Sequence, residues 1–436
     1  MQTVTDSKPG AVAFDRRQVY RPFLERLNPI ASSQSLLAEG LIVAPDHDPR
    51  DAGQPPIHVA FASVAELSRG SQMALVGGIG SGKTTELLLT QKVLSRHSDA
   101  INVYVDLADY TDLSEISTGA ILAAAGMQLY SLLRSRLKNA GKELPEAVKA
   151  AHAKLRELAL GKTNWVKQPP EPYDYEPDGD ELYEVVQVKV PGVMKLRFPA
   201  LRRQVFEILE QLFTIASTPL ETDVSVLRSD DRQITLLIDG LDRLIRPHLF
   251  REFAEQDLQA LKGTKISVII VAPLLLWYDK SRFLQDYFDP VKHIPAAAAD
   301  PQHSDFLRKI LQRRGAPDLM DRAEITSIAK YSGGVLRDLL TLARSSAEYA
   351  YRDGEDRISR RHVNAAIKQI GNRYLAGLGN TQKRLLRSLI EDGEFPIENS
   401  TARELLVSRQ VLEYFKGGVD YFAVHPALAK VLPKPA

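Results

Sequence analysis

Eight consecutive residues constrain this chain more than any others. Gly77-Gly78-Ile79-Gly80-Ser81-Gly82-Lys83-Thr84 fits the pattern G-x-x-x-x-G-K-S/T, with an apolar run, Met73–Val76, leading in and a helical stretch, Thr85–Leu94, leading out. Glycines let successive backbone N–H groups point inward, and the start of the following helix adds partial positive charge, so a strand–loop–helix of this kind cradles a polyphosphate. Residues 77–84, with Thr85 behind them, are the expected phosphate-binding set. Lys83 is expected to reach the β- and γ-phosphates, and the Thr84 hydroxyl to ligate Mg²⁺. A glycine-rich turn with a chance lysine accounts poorly for all eight positions in this setting.

Four further apolar runs, Ile101–Leu107, Ile234–Ile238, Ile266–Ala272 and a weak Val291–Ile294, alternate with helical stretches, the pattern of an α/β parallel sheet. The 436 residues suggest about three units by length. More than 120 residues separate the second and third runs, too many for a crossover, so an insertion is expected between them. Its parts read as helices over Leu113–Lys138 and Leu144–Leu160, then a Pro-rich opening at Gln168–Pro172 into an acidic, Tyr-bearing loop to Tyr183. A hairpin follows, Val185–Val190 with Val193–Phe198 around Pro191-Gly192, and then a helix, Leu201–Ile215. Leu144–Phe198 is the segment expected to carry partner specificity, as loops on a rigid scaffold do. After Pro301 helices are expected at Ser304–Arg314, Arg322–Tyr331, Val335–Arg352 and Ser359–Ile370. The end reads as two helices, Thr381–Ile390 and Thr401–Ser408, then a hairpin turning at Gly417-Gly418 and a short helix, Ala427–Val431, a winged-helix pattern. The expected division is 1–70 as a leader packing on the nucleotide-binding domain, 71–300 as that domain with its insertion at about 140–200, 301–372 as a helical lid, and 373–436 as the winged helix.

The run Ile234–Ile238 ends in Asp239-Gly240-Leu241-Asp242-Arg243. A carboxylate at the carboxyl end of the strand adjacent to the phosphate loop's own can hold the metal, and Asp239 is the expected partner. Asp242, three residues on, is expected to orient or deprotonate a water near the γ-phosphate; the competing description is a surface carboxylate.

Together these motifs resemble the AAA+ and STAND groups of P-loop NTPases, with Asp-x-x-Asp closer to the STAND arrangement. The resemblance implies a P-loop sheet followed by a helical lid and a C-terminal winged helix, binding of ATP or ADP with Mg²⁺, and oligomers in the cytoplasm. Arg243 stands where STAND proteins usually carry a further acid, so the resemblance implies slow, switch-like hydrolysis. Ala272 cannot serve as the polar sensor that the family places after the fourth strand. Ser267 and Arg282 are the nearby candidates, Arg282 as an arginine finger across a subunit contact. Tyr331–Leu339 opens a helix where the family's lid carries a phosphate sensor, and Arg337 is the matching residue. His425, after the wing strands, matches a histidine that touches the β-phosphate in closed, ADP-bound STAND proteins. The function implied is a nucleotide-dependent switch, closing over ADP and opening with ATP to control self-assembly or a partner effector. The effector would be a separate polypeptide, as in bacterial defence or signalling operons.

The alternative is a DNA-associated AAA+ ATPase of the origin-recognition or transposition-regulator kind, using its winged helix. The chain has 56 Lys and Arg against 55 Asp and Glu, and from Thr381 onward eight basic residues face seven acids, so neither count supplies the basic face that phosphate-dominated binding needs. A small-molecule kinase has no use for a wing. With no cysteine, disulfides, thiol catalysis and Cys-based zinc sites are excluded. The longest apolar run, Val268–Tyr278, is 11 residues, too short to cross a bilayer, and Met1–Lys8 has no apolar signal core, so no membrane contact and a cytoplasmic setting are expected.

Overall fold

A computed structural model describes residues 15–28, 33–96, 100–110, 113, 116, 118–139, 141–160, 233–244, 248–261, 266–297 and 301–433. Five parallel strands, β1 (Gln72–Gly77), β2 (Ala100–Asp106), β3 (Gln233–Asp239), β4 (Ile266–Ala272) and β5 (Val291–Ile294), form one sheet in the order β2-β3-β4-β1-β5. The α/β class expected from the alternating runs is the class observed. A parallel sheet packed on both faces needs near-continuous apolar strands, and β4 is buried at all seven positions. On one face Met73, Leu75, Leu237, Ile269, Val271 and Ile294 join Ile57, Phe61, Ala62 and Ala65 of the helix Ile57–Leu67 and Leu87 and Leu94 of the helix Lys83–Leu94. That cluster anchors both the strand entering the phosphate loop and the helix leaving it.

The sheet belongs to a compact unit of the described residues between Asp46 and Pro295. Its helices Ala120–Asn139 and Glu146–Leu160 fall in the expected insertion. The first begins later than the expected Leu113 because the wholly buried Asp257 carboxylate accepts the backbone N–H of Gly119 (2.8 Å) and Ile121 (3.3 Å), capping the helix there. The acidic stretch, the hairpin and the helix expected at Leu201–Ile215 lie outside the described residues.

The described residues up to Pro45 and from Ala296 onward form a second compact unit. It holds the helices Pro301–Arg313, Arg322–Tyr331, Leu336–Arg352, Arg360–Leu375, Asn380–Asp392 and Ser400–Val407, the antiparallel pair β6 (Val411–Lys416) and β7 (Val419–Val424), and the short helix Pro426–Ala429. One expectation needs correction. The leader expected as one block over 1–70 is divided between the units, and its described part up to Pro45 is tied to the helices of the second unit. Arg314, 4% exposed, donates to the carbonyls of Arg26, Leu41 and Ile310, and Tyr20 donates to the carbonyl of Glu355. Burial pulls the Arg314 pKa down to about 10, which leaves it charged at neutral pH. Only from Asp46 on does the chain belong with the sheet.

Within this unit the expected lid and wing share a core. Gly334, at φ 80°, sits so close to Ala297 that an added Cβ would fall 2.0 Å from the Ala297 carbonyl oxygen, and Gly333, at φ 61°, would bring a Cβ 2.4 Å from Leu412 Cδ1 of β6. The Gly-Gly pair before Leu336–Arg352 is therefore required by packing. At the start of that helix Asp338 is 1% exposed and nearly surrounded by donors: Tyr374 Oη at 2.5 Å, Arg409 at 3.4 Å and His425 Nε2 at 3.4 Å. Arg373 stands 4.0 Å away. Burial alone pushes the Asp338 pKa up, but His425, Arg409 and Tyr374 outweigh it and hold the carboxyl below its ordinary value. A depressed carboxylate contributes stability that is fully present above the unfolded pKa of about 3.9 and is lost as pH falls through the lower folded value. The stability difference between wild type and Asp338→Asn, measured by denaturant unfolding, should be about 3 kcal/mol at neutral pH and should shrink below about pH 4.

Candidate phosphate-binding site

The phosphate loop leaves β1 and turns into the helix Lys83–Leu94 through two left-handed glycines, Gly80 at φ 83° and Gly82 at φ 104°. Side chains rarely adopt that backbone. Gly77 is required for a different reason: a Cβ there would lie 2.6 Å from the carbonyl oxygen of Ile294 on β5. Gly78 and Ile79 complete the bend, half-exposed. Lys83 is 4% exposed, and its ammonium uses all three donors, on the carbonyls of Gly77 (2.9 Å) and Gly78 (2.7 Å) and on the Asp242 carboxylate (2.9 Å). Thr84 lies half-buried beside the Asp239 carboxylate, where its hydroxyl favours the charged form of that group, and Thr85 follows half-buried. Among the described residues the buried Ser81 Oγ finds no partner.

Asp239 is not on the strand next to the loop, as the sequence suggested. β4 lies between β1 and β3. The expected residues still meet, because all the strands are parallel and their carboxyl ends share one edge. Ser267 fails by the same geometry. It is the second residue of β4, at the opposite edge, where it bonds Ser71 Oγ at 3.1 Å. Ala272, at the carboxyl end, is fully buried and apolar.

At that edge Asp239 is 2% exposed, with Oδ1 accepting the Gly240 N–H at 2.8 Å and Oδ2 accepting the Tyr104 hydroxyl at 3.0 Å. Burial, then the neighbouring Asp242, raises the Asp239 pKa, against the bonds from Thr84 and Gly240 that favour its charged form. Burial first, and then the Asp239 charge, push the Tyr104 phenol far up, so its hydroxyl is a donor. Asp106, paired with Asp239 across β2 and β3, is also raised by burial, and Arg243 stands 4.0 Å from it. Thr84 and Asp239 together offer the hard oxygen donors that suit Mg²⁺.

The remaining expected residues lie elsewhere. Arg282 is exposed, in the sheet unit, at a left-handed φ of 55° before the short helix Phe283–Tyr287. Arg337 is exposed on the first turn of Leu336–Arg352, in the second unit. His425 has no exposed surface. Its Nδ1 accepts the Ala427 N–H at 3.2 Å, which leaves Nε2 as the protonated nitrogen facing Asp338. At 3.4 Å that contact is long for a hydrogen bond. The ring expected to touch a phosphate is thus enclosed between wing and helix, facing Asp338.

Sequence reasoning missed Tyr104. Its signal was a period of two in β2: Asn102, Tyr104 and Asp106 alternate with Ile101, Val103 and Val105, and polar residues on one side of a strand covered on both faces need partners.

No family model matches the chain, and no curated protein matches it. Among solved structures, Drosophila ORC bound to DNA aligns at 13% identity over 98% of this chain and 93% of that chain, with a TM-score of 0.41. The Aeropyrum pernix ORC1 protein in complex with DNA aligns at 16% identity over 92% and 96%, with a TM-score of 0.42. The Thermotoga maritima RuvB Holliday junction branch migration motor aligns at 13% over 87% and 95%, with a TM-score of 0.38. Likeness at these scores decides nothing about function, which rests on the site itself.

The Lys83–Asp242 pair makes a directional prediction. A phosphate oxygen must compete with the Asp242 carboxylate for the ammonium. Asp242→Asn should therefore bind ADP about fivefold more tightly by calorimetry, as the loss of a competing ion pair of about 1 kcal/mol implies. If ATP is hydrolysed, the same variant should do so at least tenfold more slowly. Weaker ADP binding by the variant would show that Asp242 supports the ligand rather than competing with it.

Proposed function

We propose that this chain is an ATP-binding, slowly hydrolysing nucleotide switch whose ATP and ADP states differ in self-association or in their hold on a partner protein. The observation that carries the reading is the meeting of Lys83, Thr84, Asp239 and Asp242 at one edge of the sheet. In this mechanism the loop N–H groups donate to the phosphate oxygens, and Lys83 exchanges its bond to Asp242 for one to a phosphate oxygen. The exchange releases the Asp242 carboxylate, which then accepts a proton from the attacking water. Mg²⁺, when bound, neutralises charge on the β- and γ-phosphates, and Thr84 and Asp239 are the residues that would hold it.

Slowness follows from the same contacts. The only carboxylate bonded to the loop lysine among the described residues is also the proposed base, and Arg243, beside it in sequence, is turned toward Asp106 instead of supplying a second acid. In this reading Arg282 is the arginine offered to a neighbouring copy, and Arg337 the phosphate sensor of the helical unit. His425, with no exposed surface, has no part in it. No described helix is long and apolar enough to cross a membrane.

One observation favours the second reading, a DNA-associated ATPase. Between Arg357 and Ile390 the sequence has eight Lys and Arg and no acid, a run that counting from Thr381 had cut in two. Arg361, Asn364, Lys368 and Asn372 stand exposed along the helix Arg360–Leu375. The run is partly neutralised, since Arg357 pairs with Asp321 and Arg361 with Asp353 and Glu355. That leaves the switch as the better-supported reading.

Sedimentation with Mg²⁺ and either ADP or a slowly hydrolysed ATP analogue, with and without duplex DNA, separates the two. The switch predicts a heavier species with the ATP analogue and no DNA needed for it. Equal sedimentation in both nucleotides, with ATP-dependent DNA binding that weakens steeply with salt, would establish the second reading.

A further inference from the structure

We propose that Tyr104 is a positioning residue for the metal-binding carboxylate: its hydroxyl holds Asp239 in one orientation and thereby sets how tightly the site takes Mg²⁺ together with its nucleotide. The inference rests on the functional reading above and extends it to a residue outside the phosphate-loop and Asp-x-x-Asp motifs.

The geometry is specific. Tyr104 is paired with Leu237 across β2 and β3, two residues before Asp239, and side chains two apart on a strand share a face. Its ring packs against the core cluster that includes Leu75, Leu237 and Ile269, so the hydroxyl is delivered by a ring that the core holds in place. That hydroxyl donates to Asp239 Oδ2 at 3.0 Å while Gly240 N–H donates to Oδ1 at 2.8 Å. With a donor on each of its two oxygens the carboxylate plane is fixed, and lone pairs remain for a further partner. Without the phenol, Oδ2 loses a donor at a site that is 2% exposed. The carboxylate is then held less firmly, with the Gly240 N–H still on Oδ1, and Mg²⁺, which demands near-octahedral oxygen geometry, meets a less well prepared ligand. Among the described residues no hydrogen bond joins Tyr104 to the loop lysine or the loop glycines, so phosphate binding in the absence of metal should not depend on it.

The test compares ADP binding by wild type and Tyr104→Phe, by calorimetry in Mg²⁺ and in EDTA, with Mn²⁺ binding followed by electron paramagnetic resonance. Phenylalanine keeps the ring in the core. Affinity in EDTA should be unchanged, which also reports an intact fold, while the gain in affinity on adding Mg²⁺ should fall by about tenfold and Mn²⁺ should bind correspondingly more weakly. If Tyr104 acts only through Asp239, adding Tyr104→Phe to Asp239→Asn should change the metal-dependent gain no further. A Tyr104→Phe protein with the wild-type Mg²⁺ gain overturns the inference and leaves the functional reading standing. A wild-type protein that binds no nucleotide in either buffer overturns both.

Discussion

A buried ammonium with its three donors spent is the interaction on which the sheet unit depends. Lys83 can reach the carbonyls of Gly77 and Gly78 only because Gly80 and Gly82 take left-handed backbone and fold the loop back over its own strand. It can reach Asp242 only because β1 and β3 run parallel and end at the same edge. A charge that is 4% exposed must be compensated, and the compensation links the loop, the helix start and the acidic strand end into one electrostatic group. The third bond is the exchangeable one: the two carbonyls belong to the loop itself, whereas the carboxylate comes from the turn after β3 and competes directly with a phosphate.

The second unit solves the inverse problem, a buried anion. Asp338 collects Tyr374, Arg409 and His425 from three different elements, and the glycines at 333 and 334 let the chain pass close enough for those elements to meet. This explains a feature that the family resemblance had described in terms of nucleotide contact. The histidine after the wing strands and the Gly-Gly before the helix are both used inside the unit. A buried polar centre of this kind disfavours repacking, since removing any one donor leaves the buried charge less fully compensated.

Much of the sheet unit was legible in the sequence. The phosphate loop and the five strands are set by local chemistry: glycine conformations, a continuous apolar character that only a doubly covered sheet needs, and acids at strand ends. Strand order was not legible, because nothing local says that β4 inserts between β1 and β3; the assumption that Asp239 sat on the neighbouring strand, and the candidacy of Ser267, both failed on that point. Tyr104 was overlooked because a tyrosine in an apolar strand reads as core, and its ring is core; only its hydroxyl belongs to the site. The described part of the leader was misassigned for a related reason: the contacts that hold it, from Arg314 and Tyr20, join residues hundreds apart in sequence and leave no local pattern.

The central claim is that Lys83 is the phosphate-binding charge of a nucleotide site. Titration calorimetry of ATP and ADP into wild type and Lys83→Ala, in Mg²⁺, tests it most directly. The account predicts saturable 1:1 binding by the wild type and loss of at least a hundredfold in affinity in a variant that remains folded, about 2.7 kcal/mol for a charge-assisted contact to phosphate. Equal binding by the two proteins, or none by the wild type, would contradict it.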